Sequence, residues 1–380
     1  MRNVNQNTPR NVAREAVQMP PMWTVSFLQA MPGTVAFNRA GAGGHFDAQG
    51  LWVTAPTGGP RLDHDPASGA PRGLLMESQS TNLLLWSRDL ANTVWSVSGV
   101  GIATTTGLDG VAGSASRVTA AVAGGTVMQT VVSASALRAV SAYVKRVTGA
   151  GTVEMTVDGG ATWTPVTVGA GWGRVSLPSV TLANPAVGFR LGTAGDVVDV
   201  DMVQLENAQA PSSAIATTNA AATRVAEMAV ANLGQLGFNP LQGTLMVEFE
   251  LMRLLTVANQ AAVAFTNGGS NNMISLAKNA SNQLIGEMRK TSAQTSSVVF
   301  SSPAVNTVYR MAIAYSENNT GICYNGHMTA HDSVCSIPTV DRLEIGVRGG
   351  GTGAQLNGWV RKVMYWPVRQ SDAMLSLLTA

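Results

Sequence analysis

Four side chains of the kind that bind transition metals lie close together near the C-terminal end of the sequence. They recur every four residues, at Cys323, His327, His331 and Cys335. If all four side chains converged, they could coordinate a zinc ion. This spacing differs from that of a zinc finger. The alternative is a β-hairpin that carries one buried thiol and one exposed imidazole, and the residues between them favour that alternative.

The residues that favour a hairpin are Asn325-Gly326, between two runs of strand composition. Asn-Gly is typical of a two-residue turn because both central positions need positive φ. Such a turn pairs Tyr324 with His327, so Cys323 and His327 point to opposite faces of the sheet. We therefore predict no metal site, no cofactor, and two free buried thiols at Cys323 and Cys335.

Paired carboxylates could hydrolyse a glycosidic bond if they lay about 5–9 Å apart. Two candidates, Glu248 and Glu250, share the polar side of an alternating strand, where solvated glutamate is expected, and two more are Glu206 and Glu287. No acidic cluster stands among aromatic residues. The sequence therefore predicts a protein that is not an enzyme and has no catalytic residues, with glycan hydrolysis as an alternative.

Other acidic and histidine residues support no stronger assignment. Asp196, Asp199 and Asp201 could contribute to a calcium site, but a solvated position is expected for the two that share a strand face, Asp199 and Asp201. His64 stands between two aspartates in a turn-rich stretch. A G-x-S-x-G sequence is missing, so a Ser-His-Asp site has no supporting context.

Aromatic side chains beside polar groups are the candidates for glycan contacts. The possible platforms are Trp163, Trp172, Tyr324, Trp359 and Trp366. We expect Trp172 and Trp359 to pack in a core, since a buried indole is the commoner arrangement. Trp163 follows Gly159-Gly160 between two threonines and is the best exposed candidate. We predict glycan binding at Trp163, Tyr324 and His327.

The composition excludes several classes of function. Charged residues make up 12% of the 380 residues, against about 25% in an average soluble domain. The net charge of +2, without a dense run of lysine or arginine, argues against nucleic-acid binding. The sequence contains neither a bilayer-length apolar run nor a signal-peptide pattern, so we expect no membrane insertion and no secretion. Low surface charge favours self-association, and we expect an oligomer or part of an assembly.

The elements that must position these side chains are β-strands. Runs of strand composition recur at short spacing between residues 85 and 207 and again between 235 and 380, with Gly, Asn, Asp and Pro between them. Two runs, Val140–Val147 and Thr244–Leu251, alternate apolar and polar residues. This pattern predicts a mostly β protein with two antiparallel β-sandwich or jelly-roll domains and an irregular N-terminal arm.

The boundaries follow from changes in composition. Residues 1–36 form the arm, with a short helix over Asn11–Met19, and residues 37–84 form a loop-rich anchoring segment. Residues 85–227 form the first sandwich, and its end is a polar, small-residue stretch over 208–222 that cannot bury a core of its own. Residues 235–380 form the second sandwich, whose final helix, Asp372–Leu378, is capped by Ser371.

Three stretches of the chain resemble virion proteins of tailed bacteriophages. Phe46–Ser87 contains FDAQG, PRLDHDP, PRGLLMES and TNLLLWS in that order. Phage tail-fibre and head-fibre proteins have a similar block ahead of a carbohydrate-binding-like jelly roll. Gln204–Glu206 and Thr217–Glu227 (TTNAAATRVAE) resemble the end of that jelly roll. Leu356–Leu378 is similar to the last strand and helix of laminin-G-like, concanavalin A-like sandwiches.

The resemblance implies a structural protein on the surface of a phage virion, made in the host cytoplasm. Its partners would be capsid or tail proteins, its own copies in a homotrimer, and host-surface glycan. The arm and residues 37–84 would dock on the particle or on sister subunits. Two alternatives stay open: a capsid decoration or head-fibre protein without a receptor role, and a glycan-depolymerising tailspike.

Overall fold

The computed structural model describes residues 20–256, 258–300, 302–350 and 354–380. The described chain is almost entirely β, and all of its named sheets are built from antiparallel strand pairs, which confirms the predicted fold class. The strands before the first sandwich are β1 Trp23–Ser26, β2 Val35–Asn38, β3 Gly43–Phe46, β4 Trp52–Ala55, β5 Leu62–His64, β6 Pro71–Met76 and β7 Ser80–Asn82.

The first sandwich contains two five-stranded sheets. Its strands are β8 Ser96–Ser98, β9 Val100–Thr105, β10 Ala115–Ala120, β11 Gly125–Thr130, β12 Ala136–Thr148, β13 Val153–Thr156, β14 Thr164–Val166, β15 Gly173–Leu182, β16 Ala186–Leu191 and β17 Val197–Asn207. One sheet has the order β15-β12-β17-β10-β9 and the other β14-β13-β16-β11-β8. Val140, Ala142 and Val144 of β12 enter the core between the sheets, as their alternation predicts.

The second sandwich follows a short linking strand. The linking strand is β18 Ala222–Arg224, which pairs with β7. The elements of the second sandwich are β19 Met228–Asn232, α1 Leu233–Leu236, β20 Gln242–Leu251, β21 Gln260–Thr266, β22 Met273–Lys278, β23 Leu284–Lys290, β24 Ala293–Val299, β25 Val308–Ser316, β26 Asn319–Tyr324, β27 His327–Asp332, β28 Arg342–Ile345, β29 Gly358–Trp366 and α2 Asp372–Thr379. The larger sheet runs β27-β26-β25-β20-β29-β6-β5, with β1 also paired to β29, and the facing sheet runs β2-β19-β28-β21-β22-β23-β24.

Local sequence signals fix two features of the second sandwich. Asn325 and Gly326 have φ of 43° and 78°, and they connect β26 to β27 with Tyr324 paired to His327, as predicted. The Ser371 hydroxyl accepts a hydrogen bond from the Met374 N–H at the start of α2, which confirms the predicted cap.

The structure differs from the predicted irregular arm and anchoring segment. The predicted helix over Asn11–Met19 lies outside the described residues. Further along, β1 pairs with β29 and β2 with β19, so residues 23–38 extend both sheets of the second sandwich. β6 pairs with β29 as well. The reason is burial: Trp23 and Val25 of β1, and Phe27 directly after it, enter the core, and β1 is too short to show a period in sequence.

The polar stretch over residues 208–222 crosses the surface of the first sandwich and is held by side-chain hydrogen bonds. The Ile215 N–H donates to Gln204 Oε1 over 2.7 Å, and the Asn82 amide donates to the Ile215 carbonyl over 2.9 Å. Ile215 and Ala214 are buried as a result. The stretch has no core of its own, as predicted, and it takes its order from its neighbours.

A group of buried charges joins this stretch to the second sandwich. We call it the junction cluster and define it as Arg39, Arg61, Glu77, Arg224 and Glu227. Glu227 Oε1 lies 3.2 Å from Arg39 Nη1 and 2.6 Å from Arg61 Nη2, and Arg61 also lies 2.8 Å from Glu77 Oε2. Burial raises the pKa of Glu77, but Arg224 and Arg61 outweigh it and hold that pKa well below its usual range.

Candidate functional site

An open cleft of about 620 Å³ lies where the two sandwiches meet residues 37–84. The β3–β4 hairpin and β5–β6 form one wall, the outer face of β12 and β15 forms another, and residues 210–214 and 252–254 close the rest. Clefts between domains are common ligand sites. The side chains that line the cleft include His45, Phe46, Trp52, Asp63, His64, Arg72, Tyr143, Trp172, Arg174, Arg253 and Trp359.

Aromatic rings line much of this cleft. Phe46 and Tyr143 are buried and meet edge to face, with ring centroids 5.7 Å apart. Trp52 and Trp172 are half-buried and leave part of each indole open. Trp52 lies against the β3–β4 hairpin at Gly44, where a Cβ atom would come within 2.3 Å of the indole ring. Glycine at this position therefore lets the indole lie close against the backbone.

A second group in the cleft combines a ring with fixed charges. The Arg72 guanidinium lies 4.1 Å from the centroid of the Trp359 ring and donates to Glu250 over 2.9 Å. The Trp359 indole N–H donates to Asp63 Oδ2 over 2.7 Å, and the Phe46 N–H donates to Asp63 Oδ1 over 2.7 Å. Burial raises the pKa of Asp63, although these two hydrogen bonds lower it.

Basic side chains approach the cleft from the first sandwich. Arg174 donates through Nη2 to Ser141 Oγ over 3.0 Å and to the Ser212 carbonyl. Lys145 Nζ lies 4.8 Å from the centroid of the Trp172 ring. The cleft therefore presents indole surface and cationic groups side by side.

Two histidines lie on the hairpin side. His64 Nδ1 is 3.2 Å from the Phe46 carbonyl, which places the proton on Nδ1 for this contact. His45 is half-buried, and burial together with Arg61 lowers its pKa to about 4. His45 is therefore neutral at pH 7.

The three residues predicted to bind glycan lie on different sandwiches. Trp163 stands between β13 and β14 of the first sandwich, half-buried, with the Arg190 guanidinium 4.8 Å from its ring centroid. Tyr324 and His327 flank the hairpin turn of the second sandwich with ring centroids 5.8 Å apart, and His327 is exposed. None of the three lines the cleft, and their role in glycan binding stays a prediction.

The four-residue metal pattern does not assemble as a site in the described part of the chain. The β26–β27 register pairs Cys323 with Met328, so Cys323 and His327 face opposite ways, as predicted. Cys323 and Cys335 are free and buried, which confirms that prediction. The side chain of His331 is outside the described residues. Among those residues, no group of three or more His, Cys, Asp or Glu could hold a metal ion.

The predicted carboxylates are engaged by protein partners. Glu248 pairs with Arg310 and Arg361, both over 2.9 Å. Glu250 pairs with Arg72, and burial raises the pKa of its carboxyl. The same holds for the two other candidates, because buried Glu206 accepts from the Ser212 N–H over 2.8 Å and Glu287 pairs with Arg289 over 3.0 Å.

The prediction that Asp199 and Asp201 are solvated is wrong. Both side chains are fully buried. Asp199 pairs with Arg117 over 2.7 Å and with Lys145 over 3.3 Å, and Asp201 pairs with Arg88 over 2.8 Å. Basic side chains from neighbouring segments neutralise the like charges on this strand face, which a single strand's pattern does not reveal.

Trp52, Arg72 and Arg174 line the cleft but were missed as candidates from the sequence, and Trp172 was expected in a core. Trp172 instead packs beside the cleft cluster of Phe46 and Tyr143. An aromatic residue in a turn-rich segment without its own core, such as Trp52, is the one sequence signal that could have pointed to this site.

Comparisons with known proteins give a weak likeness of fold. No family model matches the chain, and no curated protein matches it significantly. The CBM40 module of the Ruminococcus gnavus IT-sialidase, solved with α2,3-sialyllactose, is 17% identical with a TM-score of 0.32 over 37% of this chain and 84% of that one. The NanB sialidase from Streptococcus pneumoniae is 14% identical with a TM-score of 0.33, over 40% of this chain and 26% of that one. Trypanosoma rangeli sialidase is 12% identical with a TM-score of 0.32, over 40% and 26%. These values carry no argument about function.

One finding bears on membrane association. Within the described ranges, no helix has the length and apolar character needed to span a bilayer.

Proposed function

We propose that this chain is a non-catalytic surface protein of a tailed-phage virion that binds host-surface glycan in the cleft between its sandwiches. The observation that carries the glycan assignment is the pair of half-open indoles, Trp52 and Trp172, in a 620 Å³ cleft beside polar groups. An indole face packs against the apolar face of a sugar ring, and polar neighbours bind its hydroxyls. The sequence blocks that resemble phage fibre proteins support the virion assignment.

Replacing Trp172 by alanine is expected to weaken glycan binding roughly thirtyfold, the cost of truncating a central tryptophan in an interface. The measurement is the dissociation constant for host-surface polysaccharide by isothermal titration calorimetry. Trp163→Ala is the matched control, because Trp163 is also half-buried in the first sandwich but lies away from the cleft. Loss of binding in Trp163→Ala with retention in Trp172→Ala would place the site on the platform predicted from sequence.

We also propose that the bound glycan is not cleaved. Both oxygens of Asp63 accept hydrogen bonds from protein groups, and Glu250 is paired with Arg72, so neither carboxyl is free to protonate a leaving group. Incubation with the bound polysaccharide should leave the concentration of reducing ends constant. The depolymerase alternative is supported by the raised pKa of the Asp63 and Glu250 carboxyls, because a general acid must hold a proton near neutral pH. It would be established by release of reducing ends that Asp63→Asn or Glu250→Gln abolishes.

The finer parts of this proposal come from the sequence. The homotrimer and the attachment to capsid or tail remain predictions, as does the rival role of a capsid decoration or head-fibre protein without a receptor. Locating the chain in a density map of an intact particle separates the tail and capsid assignments.

A further inference from the structure

We infer that the cleft takes a carboxylated glycan, such as one containing hexuronic acid, and that Arg174 binds its carboxylate. This inference rests on the proposed glycan binding and narrows the class of ligand.

Among the described residues, no acidic side chain forms an ion pair with Arg174. Its two hydrogen-bond partners, the Ser141 hydroxyl and the Ser212 carbonyl, are neutral, and both are bound through Nη2. Its guanidinium carbon lies 5.7 Å from the ring centroid of Tyr143. No carboxylate of the described residues forms an ion pair with it, and Nη1 makes no hydrogen bond to them. The side chain is therefore held in place without a direct ion pair to the described residues and with an unused donor at Nη1.

The acidic groups of the cleft do not supply the missing partner. Asp63 is engaged by Phe46 and Trp359. Asp65 Oδ1 accepts from the N–H groups of Ala67 and Ser68, and from the Ser68 hydroxyl. Both carboxylates are satisfied by protein donors other than Arg174.

A second arginine adds to this positive character. Arg253 lines the cleft and donates to the Ala210 carbonyl over 2.8 Å and to Asn357 Oδ1 over 2.7 Å, and both partners are neutral. Among the salt bridges of the described residues, none involves Arg253. Two cleft arginines therefore lack a direct carboxylate contact.

The position of Arg174 relative to Trp172 points to a sugar carboxylate rather than an isolated anion. Residues two apart on an extended chain lie on the same face, about 6.6 Å apart. One hexuronic acid residue can therefore stack on the Trp172 indole while its carboxylate reaches the Arg174 guanidinium. The two hydrogen bonds through Nη2 hold the guanidinium in place, and Nη1 is left to donate a charge-assisted hydrogen bond to the carboxylate.

The test compares polygalacturonate and alginate with the same polymers after reduction of their carboxyl groups to hydroxymethyl groups. We expect the full chain to bind at least one native polymer tenfold or more tightly than its reduced form, with an affinity that falls as salt is raised. Arg174→Gln should lose roughly tenfold to a hundredfold in affinity for the native polymer, the value of a hydrogen bond between charged groups, and should no longer distinguish the two forms.

Two variants refine this comparison. Arg190→Gln is the matched control, since Arg190 lies over Trp163 away from the cleft, and it should bind like the unmodified protein. Arg174→Lys keeps the charge but not the planar group that Nη2 holds in place, and it should fall between the unmodified protein and Arg174→Gln.

The outcomes separate this inference from the proposed function. Equal affinity of the unmodified protein for native and reduced polymers overturns the carboxylate assignment and leaves glycan binding intact. If the protein binds only neutral host polysaccharide, and Trp172→Ala weakens that binding, the carboxylate assignment is likewise overturned and glycan binding stands. Failure to bind either acidic or neutral polysaccharides overturns both. The comparison of native and reduced polymers uses the unmodified chain, so it decides the class of ligand even if Arg174→Gln does not fold, and Arg174→Lys then tests the role of Arg174.

Discussion

Replacing Glu227 by glutamine is expected to lower the free energy of unfolding by about 3–5 kcal/mol, the usual cost of removing one partner from a buried ion pair. Glu227 faces Arg39 and Arg61, and the side chains of all three are fully buried. The substitution keeps the size of the side chain but leaves Glu77 as the one carboxylate of the junction cluster. The three buried arginines of the junction cluster then share one buried carboxylate.

Guanidinium chloride unfolding, followed by tryptophan fluorescence, measures this loss. Glu154→Gln is the matched control, because Glu154 pairs with Arg190 over 2.6 Å at a partly exposed position of the first sandwich. The control should unfold close to the unmodified protein, since solvent screens surface ion pairs. A Glu227→Gln protein as stable as the control would show that the junction cluster does not hold the fold together.

The junction cluster also positions the cleft. Arg61 Nη1 donates to the Gly44 carbonyl over 3.1 Å, and Arg39 Nη2 donates to the Ala55 carbonyl over 3.1 Å. These bonds hold both strands of the β3–β4 hairpin, which carries Trp52. The charges that stabilise the junction therefore also orient one wall of the cleft.

Features controlled by neighbouring residues could be predicted from the sequence. The alternation in β12 and β20, the Asn325-Gly326 turn and the Ser371 cap each depend on contacts within a few residues. Their physical causes, strand periodicity, positive φ and an unsatisfied helix N–H, are visible in the local sequence.

Features that depend on distant residues could not be predicted in this way. Arg39 meets Glu227 across 188 positions, and Trp359 meets Asp63 across 296. Short strands such as β1 and β5 contain too few residues to show a period, so their place in the second sandwich follows from packing alone.

The candidate site illustrates the same limit. Trp163 was predicted as a glycan contact from its neighbours in the sequence. Such neighbours indicate whether one side chain is exposed, but they do not indicate the shape of the surface around it. The cleft brings Trp52 and Trp172 together from segments 120 residues apart, and it needs the polar stretch at 210–214 to complete it. A concave site of this kind arises only once the sheets have packed.

His45 gives the second large effect, a loss of stability in mild acid. It lies in β3 opposite Val53, and its Nδ1 is buried without a hydrogen-bond partner among the described residues. Burial is the main cause that lowers its pKa from 6.5 to about 4, with further lowering from Arg61, His64 and Arg39, while Asp47 acts in the opposite sense. Between these two values the unfolded chain binds a proton that the folded chain does not.

The neutral His45 side chain therefore makes its full contribution to the free energy of unfolding above pH 6.5. This contribution is lost as the pH falls from 6.5 to about 4. The loss is about 2 kcal/mol once the partial exposure of the ring is taken into account. Urea unfolding of the unmodified protein and of His45→Gln between pH 7.5 and 4.5 measures it. The difference in unfolding free energy between the two proteins at pH 7.5 reports the changed packing. The decrease of that difference toward pH 4.5 reports the proton that the glutamine variant cannot bind. Parallel stability curves over this range would show that His45 does not titrate differently in the folded and unfolded chains.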